Sequence, residues 1–408
     1  GAYVHLSNNI EVKEPLKQFT DPAKDFVHSI VPDDKFISSI LDNIGAHTLT
    51  FPLLERNLTT IDANVMWPLF TGGKRIFATR IGNRMVDLAK AGREEAGATL
   101  QSELVETYYA LRLAQRVVDV REQTFLGLQK HYRNAMKLEK NGMINKAERL
   151  FAQVTMDEAR RELESARKDL NVAQNALKVL LNVEDATSIN PSSPLFMNHD
   201  LPDELYFKNL VSTGNYIVSK LRIQEVMADN QLKISKSAYI PTIALFGKQT
   251  LYADNLPKNL MPRTLIGVGF TWNIFDGLNR EANIRQARLT KQTLQLGREK
   301  VQNELGVLVD KLYSEIQNAK DDVAALNTTI EMSRELVRIR KKSFQEGMAT
   351  STDVIDAETM LSKVQIAFLL AYYKYDVALA SLLSTCGMPE SFWQYSRTGQ
   401  TENFIFGK

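Results

Sequence analysis

Two carboxylates three residues apart, Asp353 and Asp356, follow Gly347 by six and nine positions. At i and i+3 they share one face of a helix, beside an apolar row containing Val354 and Ala357. Alone, such a pair suits a solvated face or the positive end of the dipole in a first helical turn. Gathered around an axis, the same acids would attract cations and raise one another's pKa. An earlier, similar segment offers Glu148 at the matching place, but Phe151 where the second acid would be. Little else in the chain suggests chemistry. His5, His28, His47, His131 and His199 have no metal-ligand spacing. No Ser, Cys or His constellation suits nucleophilic catalysis, and Gly72, Gly73 and Gly277 lack the Lys-Ser/Thr ending of a phosphate loop. No enzyme activity, metal or cofactor is therefore expected. A formal net charge of +2 argues against a nucleic-acid partner, and the lone Cys386 excludes an internal disulfide.

The elements that must carry these acids occur twice. Trp67-Pro-Leu-Phe70-Thr-Gly72-Gly-Lys-Arg75 returns as Trp272-Asn-Ile-Phe275-Asp-Gly277-Leu-Asn-Arg280, an offset of 205. Each copy runs from an alternating stretch into a long helical pattern, as a strand-to-helix corner would. Gly142-Met143 and Gly347-Met348 each lie 75 residues beyond the Trp of their own copy. Between corner and glycine, Leu104, Leu111, Val118, Phe125 and Tyr132 map by the offset onto Val309, Ile316, Val323, Ile330 and Val337. A gapless match of corner, seam and glycine indicates a duplicated unit of about 200 residues. The expected divisions are a first repeat over 1–203, a second over 204–388 and a C-terminal tail over 389–408.

Within the repeats, Thr59, Ile61, Ala63, Val65 and Trp67 alternate with Thr60, Asp62, Asn64 and Met66. In the second copy Ile266, Val268, Phe270 and Trp272 alternate with Leu265, Gly267, Gly269 and Thr271. Period two with one apolar side means strands whose faces meet different media, the apolar side facing a protein core or lipid. Two hairpins, four strands in all, cannot close a barrel alone and would need an oligomer. Trp67 and Trp272 stand where strand meets helix, as interfacial aromatics or as packed corner residues. From Gly73 to Asn141 there is no proline, so a helix of about 70 residues and roughly 100 Å is expected. It needs a partner along its seam. Gly142 and Gly347 turn each long helix into a returning one whose spacings of three and four are those of a coiled coil.

The longest apolar run, 366–373, is far short of the roughly 20 residues of a spanning helix, so any bilayer crossing must use strands. Residues 13–55 read as a loop with at most a short helix near 34–43, and 183–203 as a linker between halves. A helical run over about 205–235 precedes the second pair of strands. No counterpart precedes residues 1–12, so a mature or trimmed chain lacking an N-terminal helix is expected. The basic run Arg334, Arg338, Arg340, Lys341 and Lys342 reads as a solvated face with Glu partners.

These corners, the tip Glu346-Gly347-Met-Ala-Thr-Ser-Thr-Asp353-Val-Ile-Asp356-Ala357 and the closing Ala380-Ser-Leu-Leu-Ser-Thr-Cys-Gly387 together resemble the TolC family of outer-membrane efflux channels. The resemblance covers about 1–12 and 56–388. It implies a mainly α fold with a small β part: long antiparallel helical hairpins forming the α-barrel of a homotrimer, and two β-hairpins giving four strands to a shared twelve-stranded membrane barrel. It implies a passive export duct in the outer membrane of a Gram-negative bacterium. The duct would extend into the periplasm and be opened by a periplasmic adaptor bound to an inner-membrane transporter. It also implies roles for residues: Asp353, Asp356 and Glu148 at a channel constriction, and Gly142, Met143, Ile144, Gly347, Met348 and Ala349 at adaptor-contacting tips. Trp67, Phe70, Gly72, Trp272, Phe275 and Gly277 would form the strand-helix corners, near outer-membrane lipid. Ala349 departs from the Arg that often ties the closed tip in relatives. The competing reading is a soluble coiled-coil scaffold, which leaves the duplicated amphipathic strands unexplained and predicts solubility without detergent.

Overall fold

The structure is a computed structural model. It describes residues 57–184, 189–254 and 262–402, the strands β1 (Ala2–His5), β2 (Val12–Pro15) and β3 (Thr48–Phe51), and isolated positions between 17 and 46. Two compact units emerge, one of residues 1–84 and 226–292, the other of 85–225 and 293–408. Each expected repeat contributes strands to the first unit and helix to the second. The repeats are thus units of sequence, while the compact bodies are assembled from both.

The first unit is built on an antiparallel sheet of order β1-β4-β6-β7, with β4 at Asn57–Phe70, β6 at Thr242–Asp254 and β7 at Thr264–Thr271. Register follows the alternation in the sequence. Asp62 lies opposite Thr250 and Asn64 opposite Lys248, while Phe246 lies opposite Gly267. The Thr250 hydroxyl donates to Asp62 Oδ1 at 2.7 Å, and Lys248 pairs with Asp62 at 3.2 Å. The Phe246 ring covers β7 where a Cβ on Gly267 would come within 2.6 Å of it, so the glycine is what lets the ring lie flat. Ile61, Val65, Leu245, Ile266, Val268 and Phe270 project from the opposite face and are exposed in the single chain. Pro68 is tolerated in β4 because β1 reaches only Thr60 and the β4–β6 register shifts beside it.

The segment expected as a loop over 13–55 carries a two-stranded ladder instead, β2 paired with β3. Of the short helix expected near 34–43, positions 39–41 and 43 are helical; 34–38 and 42 lie outside the described residues.

Four long helices follow the expected plan: α1 (Lys74–Lys140), α2 (Lys146–Leu181), α5 (Asn279–Gln345) and α6 (Ser351–Thr385). Both long helices are 67 residues, and α5 and α6 begin 205 residues after α1 and α2. The helical run expected over 205–235 is instead two helices, α3 (Glu204–Gly214) and α4 (Tyr216–Ser237). Asn215 explains the break. Its Oδ1 accepts the backbone N–H groups of Ile217 and Val218, and its Nδ2 donates to Thr385 O at 2.8 Å. Gly214 and Gly387 meet there backbone to backbone, with Gly387 at φ +76.

The core of the second unit is larger than periodicity suggested. Leu195, Phe196 and Met197, inside the expected linker, are fully buried and carry strand β5 (Phe196–Met197). The expected tail is also packed, as far as residue 402. A 3₁₀ turn at Pro389–Ser391 and helix α7 (Phe392–Thr398) lead to strand β8 (Gln400–Thr401), which pairs with β5. Residues 185–188 and 403–408 lie outside the described residues. Mean hydropathy makes α6 long and apolar enough to cross a membrane. That apolar surface is used instead in packing, since Val364, Phe368, Leu369, Tyr372, Tyr375, Leu379 and Leu383 all lie in the main core cluster.

Candidate functional site

The helical tips lie in the second unit. Both long helices end in the same hydrogen-bonded turn: Gly142 N–H donates to Glu139 O and Met143 N–H to Leu138 O, as Gly347 N–H does to Phe344 O and Met348 N–H to Ser343 O. Gly142 and Gly347 take φ of +69 and +74, the left-handed region that this terminus requires. Met143 and Met348 are exposed at the turns. Ile144 and Ala349 instead tuck against Ala135, Ala152, Phe344 and Val354. The tip residues therefore divide into a methionine pair facing outward and an apolar pair anchoring the turns.

Beyond the turns, Asn145 caps α2 by accepting from Glu148 N–H at 3.0 Å. Thr350 and Asp353 form a capping box on α6, in which Asp353 Oδ2 accepts from Thr350 N–H at 2.9 Å and from its hydroxyl at 2.7 Å. Oδ1 of Asp353 pairs with Arg340 at 3.2 Å. The Thr350 backbone and hydroxyl bonds, with Arg340 adding to them, hold the Asp353 carboxyl below the usual carboxylate range. Asp356 belongs to the exposed stripe of α6 with Thr352, Met360 and Lys363. Glu148 Oε2 accepts from Ser351 N–H at 3.4 Å, so the acid of the first copy reaches the N-terminus of α6. Glu148 and Asp353 are thereby brought to one helix end.

Sequence reasoning missed the polar layer just behind the tips. His131 of α1 is 4% exposed, its Nε2 3.2 Å from Ser351 Oγ and its ring 4.6 Å from that of Phe344. Burial, with Lys341 nearby, pushes its pKa down to about 4. Glu358 is buried and ion-paired with Lys341. A Cβ on Gly127 would stand 2.7 Å from Glu358 Oε1, so that glycine makes room for the carboxylate. The basic run is thus only partly a solvated face. Arg338 pairs with Glu335 on its own helix, whereas Arg340 and Lys341 cross to α6. Also missed was Glu402, fully buried, whose Oε1 accepts from Arg112 at 2.8 Å and Arg116 at 3.1 Å. The signal for the capping box, Thr350-x-x-Asp353, was present in the sequence. Pairs such as Gly127 and Glu358 leave no such local trace.

The corners lie in the first unit. Gly72 (φ +60) meets Ile240, where a Cβ would come within 2.9 Å of the side chain, and Gly277 takes φ +69. Trp67, Phe70, Trp272 and Phe275 are all exposed in the single chain, so neither Trp is a packed corner residue there. Trp272 Nε1 donates to Tyr239 O at 3.2 Å. The second corner is locked by Arg280, which donates to Ala238 O and Ile274 O and lies 4.3 Å from the centroid of the Tyr239 ring. Its counterpart Arg75 is exposed.

Two-faced strands running into 67-residue helices that reverse at glycine tips define the class of outer-membrane channel protomers. The chain belongs to the outer membrane efflux protein family, whose model matches residues 55–183 and 217–388. It is 23% identical over 287 residues to the outer membrane efflux protein BepC of Brucella suis, a match covering 69% of this chain and 62% of that one. It is 22% identical over 293 residues to the alkaline protease secretion protein AprF of Pseudomonas aeruginosa, covering 70% and 60%. The chain thus spans about three-fifths of the length of these curated relatives. In fold it is similar to the outer membrane protein VceC of Vibrio cholerae, with a TM-score of 0.70 at 16% identity over 82% of this chain and 80% of that one. It is accordingly a protein of the outer membrane of a Gram-negative bacterium.

Proposed function

We propose that the chain is one protomer of a passive homotrimeric export duct. Three copies would pool their four-stranded sheets into a twelve-stranded outer-membrane barrel, and the helical hairpins would continue the passage into the periplasm. The single observation that carries this reading is the sheet. One face bears Ile61, Val65, Ile266, Val268 and Phe270 exposed, the other bears the bonded Asp62, Lys248 and Thr250, and each edge strand pairs on one side only. An apolar outer band and a polar interior are what a membrane barrel requires, and open edges require closure by further copies. A periplasmic adaptor bound to an inner-membrane transporter would meet the exposed Met143 and Met348. Asp353 and Asp356, with Glu148 close behind, would ring the narrowest point.

The test is single-channel conductance of the full-length protein in a planar bilayer, with and without trivalent cations, for the wild type and for Asp353→Ala combined with Asp356→Ala. A small cation-selective conductance, blocked by the trivalent ion and relieved by the double change, is expected. Conductance indifferent to the double change would remove the carboxylate ring and leave the duct. A protein that stays soluble without detergent and conducts nothing would overturn the duct itself.

A further inference from the structure

The second strand-helix corner encloses a cleft of about 200 Å³ lined by Tyr239, Trp272, Phe275, Asp276, Arg280 and Glu281. Two polar atoms there are buried without a hydrogen-bond partner, Nε of Arg280 and Oδ1 of Asp276. Arg280 is only 6% exposed. Its Nη1 and Nη2 each donate one N–H, to Ala238 O and Ile274 O at 3.4 and 3.1 Å, which fixes the plane of the guanidinium and with it the direction of the unpartnered Nε–H. Asp276 is held in the same way, since its Oδ2 accepts the backbone N–H of Arg280 at 3.1 Å. The nearest cation to Oδ1 is Arg280 Nη2 at 3.9 Å, beyond hydrogen-bonding distance. Leaving such groups unmade is costly, so a partner is expected for both.

A guanidinium Nε–H and a carboxylate oxygen, both without a partner in a single cleft, call for a ligand with both an anionic and a cationic end. A simple anion fits poorly, because Glu281 stands beside Asp276 and outweighs the one guanidinium; its Oε1 accepts the Tyr239 hydroxyl at 2.6 Å. The rim is apolar: Trp272, Ile274, Phe275 and Leu278 are all exposed, and the apolar strand face of Ile266, Val268 and Phe270 leads up to them. Aromatic side chains at the end of an apolar band are placed for the membrane interface. The first corner has none of this charge pattern, since Thr71 and Ile76 replace Asp276 and Glu281.

We infer that the second corner binds a phospholipid with a zwitterionic headgroup carrying a primary ammonium and a phosphate, a site that rests on the outer-membrane channel reading. The phosphate accepts from Arg280 Nε, the ammonium donates to Asp276 Oδ1 and Glu281, and the acyl chains lie along Ile274, Phe275 and the strand face.

The test is native mass spectrometry of the full-length protein in detergent, titrated with phosphatidylethanolamine, phosphatidylglycerol, phosphatidylcholine and O-phosphorylethanolamine. Phosphatidylethanolamine should be retained about tenfold or more over phosphatidylglycerol, as expected for a charge-assisted hydrogen bond. Phosphatidylcholine, whose quaternary ammonium has no N–H to donate, should also be retained more weakly. Asp276→Asn, which keeps the cap on Arg280 N–H, combined with Glu281→Gln should lower phosphatidylethanolamine retention by about the same factor. Equal retention of the lipids, or retention unchanged in the double variant, would overturn the site and leave water as the occupant. Binding of O-phosphorylethanolamine as tightly as the whole lipid would overturn the membrane source. If wild-type conductance persists while these fail, only the lipid site falls; a wild type that neither conducts nor needs detergent takes the channel reading down with it.

Discussion

Replacing His131 with Gln should flatten the acid limb of the protein's stability profile. His131 is held neutral in the fold, between Ser351 of α6 and Phe344 of α5, with Lys341 adjacent and Lys341 itself paired to Glu358. From α2, Glu148 contributes a carboxylate at the backbone of Ser351. The His131 pKa falls from 6.5 in the unfolded chain to about 4 in the fold. A base whose folded pKa is depressed binds its proton more readily when unfolded. Its contribution is therefore fully present above pH 6.5 and is lost as the pH falls toward 4. At 1.36 kcal/mol per unit, the whole shift is worth about 3 kcal/mol per chain, of which about three-quarters, roughly 2.5 kcal/mol, is gone by pH 4.5. At about 2.1 cal/mol/K of unfolding entropy per residue, that loss corresponds to a fall of about 3 °C in midpoint. The assay is thermal unfolding of the detergent-solubilised protein at half-unit steps from pH 7.5 to 4.5, for the wild type and His131→Gln. Carboxylates elsewhere contribute equally to both, so the quantity of interest is the difference between the two curves. The variant should lose about 3 °C less than the wild type over this range. Parallel curves would refute the assignment of the proton to His131.

Three further outcomes follow from packing. Gly127→Ala should destabilise by about 1–3 kcal/mol, because its Cβ would press on Glu358 Oε1 at 2.7 Å. In a double-mutant cycle with Glu358→Ala that penalty should largely vanish, and strictly additive effects would show that the two do not touch. Glu402→Gln leaves Arg112 and Arg116 without their shared carboxylate and should cost about 3–5 kcal/mol. Limited proteolysis should then release the segment from Pro389 onward, and resistance equal to the wild type would count against the clamp. Gly142→Ala and Gly347→Ala meet open space but keep φ near +70, so each should cost about 1–2 kcal/mol in chemical unfolding, with Asn less harmful than Ala at both.

The legible parts of this fold are those written locally and periodically. The 67-residue helices followed from an uninterrupted seam, and both tips followed from glycines that the left-handed terminus needs. Strand faces were legible because period two is local, and Asp62 facing Thr250 and Lys248 keeps that alternation across the ladder. What escaped depends on contacts distant in sequence. Phe196 and Glu402 lie in a proline-rich linker and a terminal tail by any local rule, yet β5 and β8 pair and bury both. The break at Asn215 was signalled by a Gly-Asn turn pair, but the strong helical pattern on either side outweighed it. The repeat itself concealed differences. Arg75 and Arg280 match by offset, but only Arg280 is buried, because only its corner supplies the Tyr239 face and the Ala238 and Ile274 carbonyls.

The two acids first singled out are not equivalent, and that inequality sharpens the proposed constriction. Asp353 has one oxygen in the capping box and the other paired with Arg340, so little lone-pair capacity remains for a passing cation. Removing it also breaks the reciprocal half of the α6 capping box, a loss of up to about 1 kcal/mol at the tip that would disturb the ring for reasons unrelated to charge. Asp356, on the exposed stripe of the same helix, is free of both duties. If carboxylates hold a blocking trivalent ion at the narrowest point, Asp356→Asn should relieve the block more than Asp353→Asn, since Asn at 353 still leaves the Asp356 charges in place. Relief that is instead greater for Asp353→Asn would mean that the cap and its Arg340 pair are given up in the assembled trimer. The tip turn would then have a different conformation there from the one the single chain adopts.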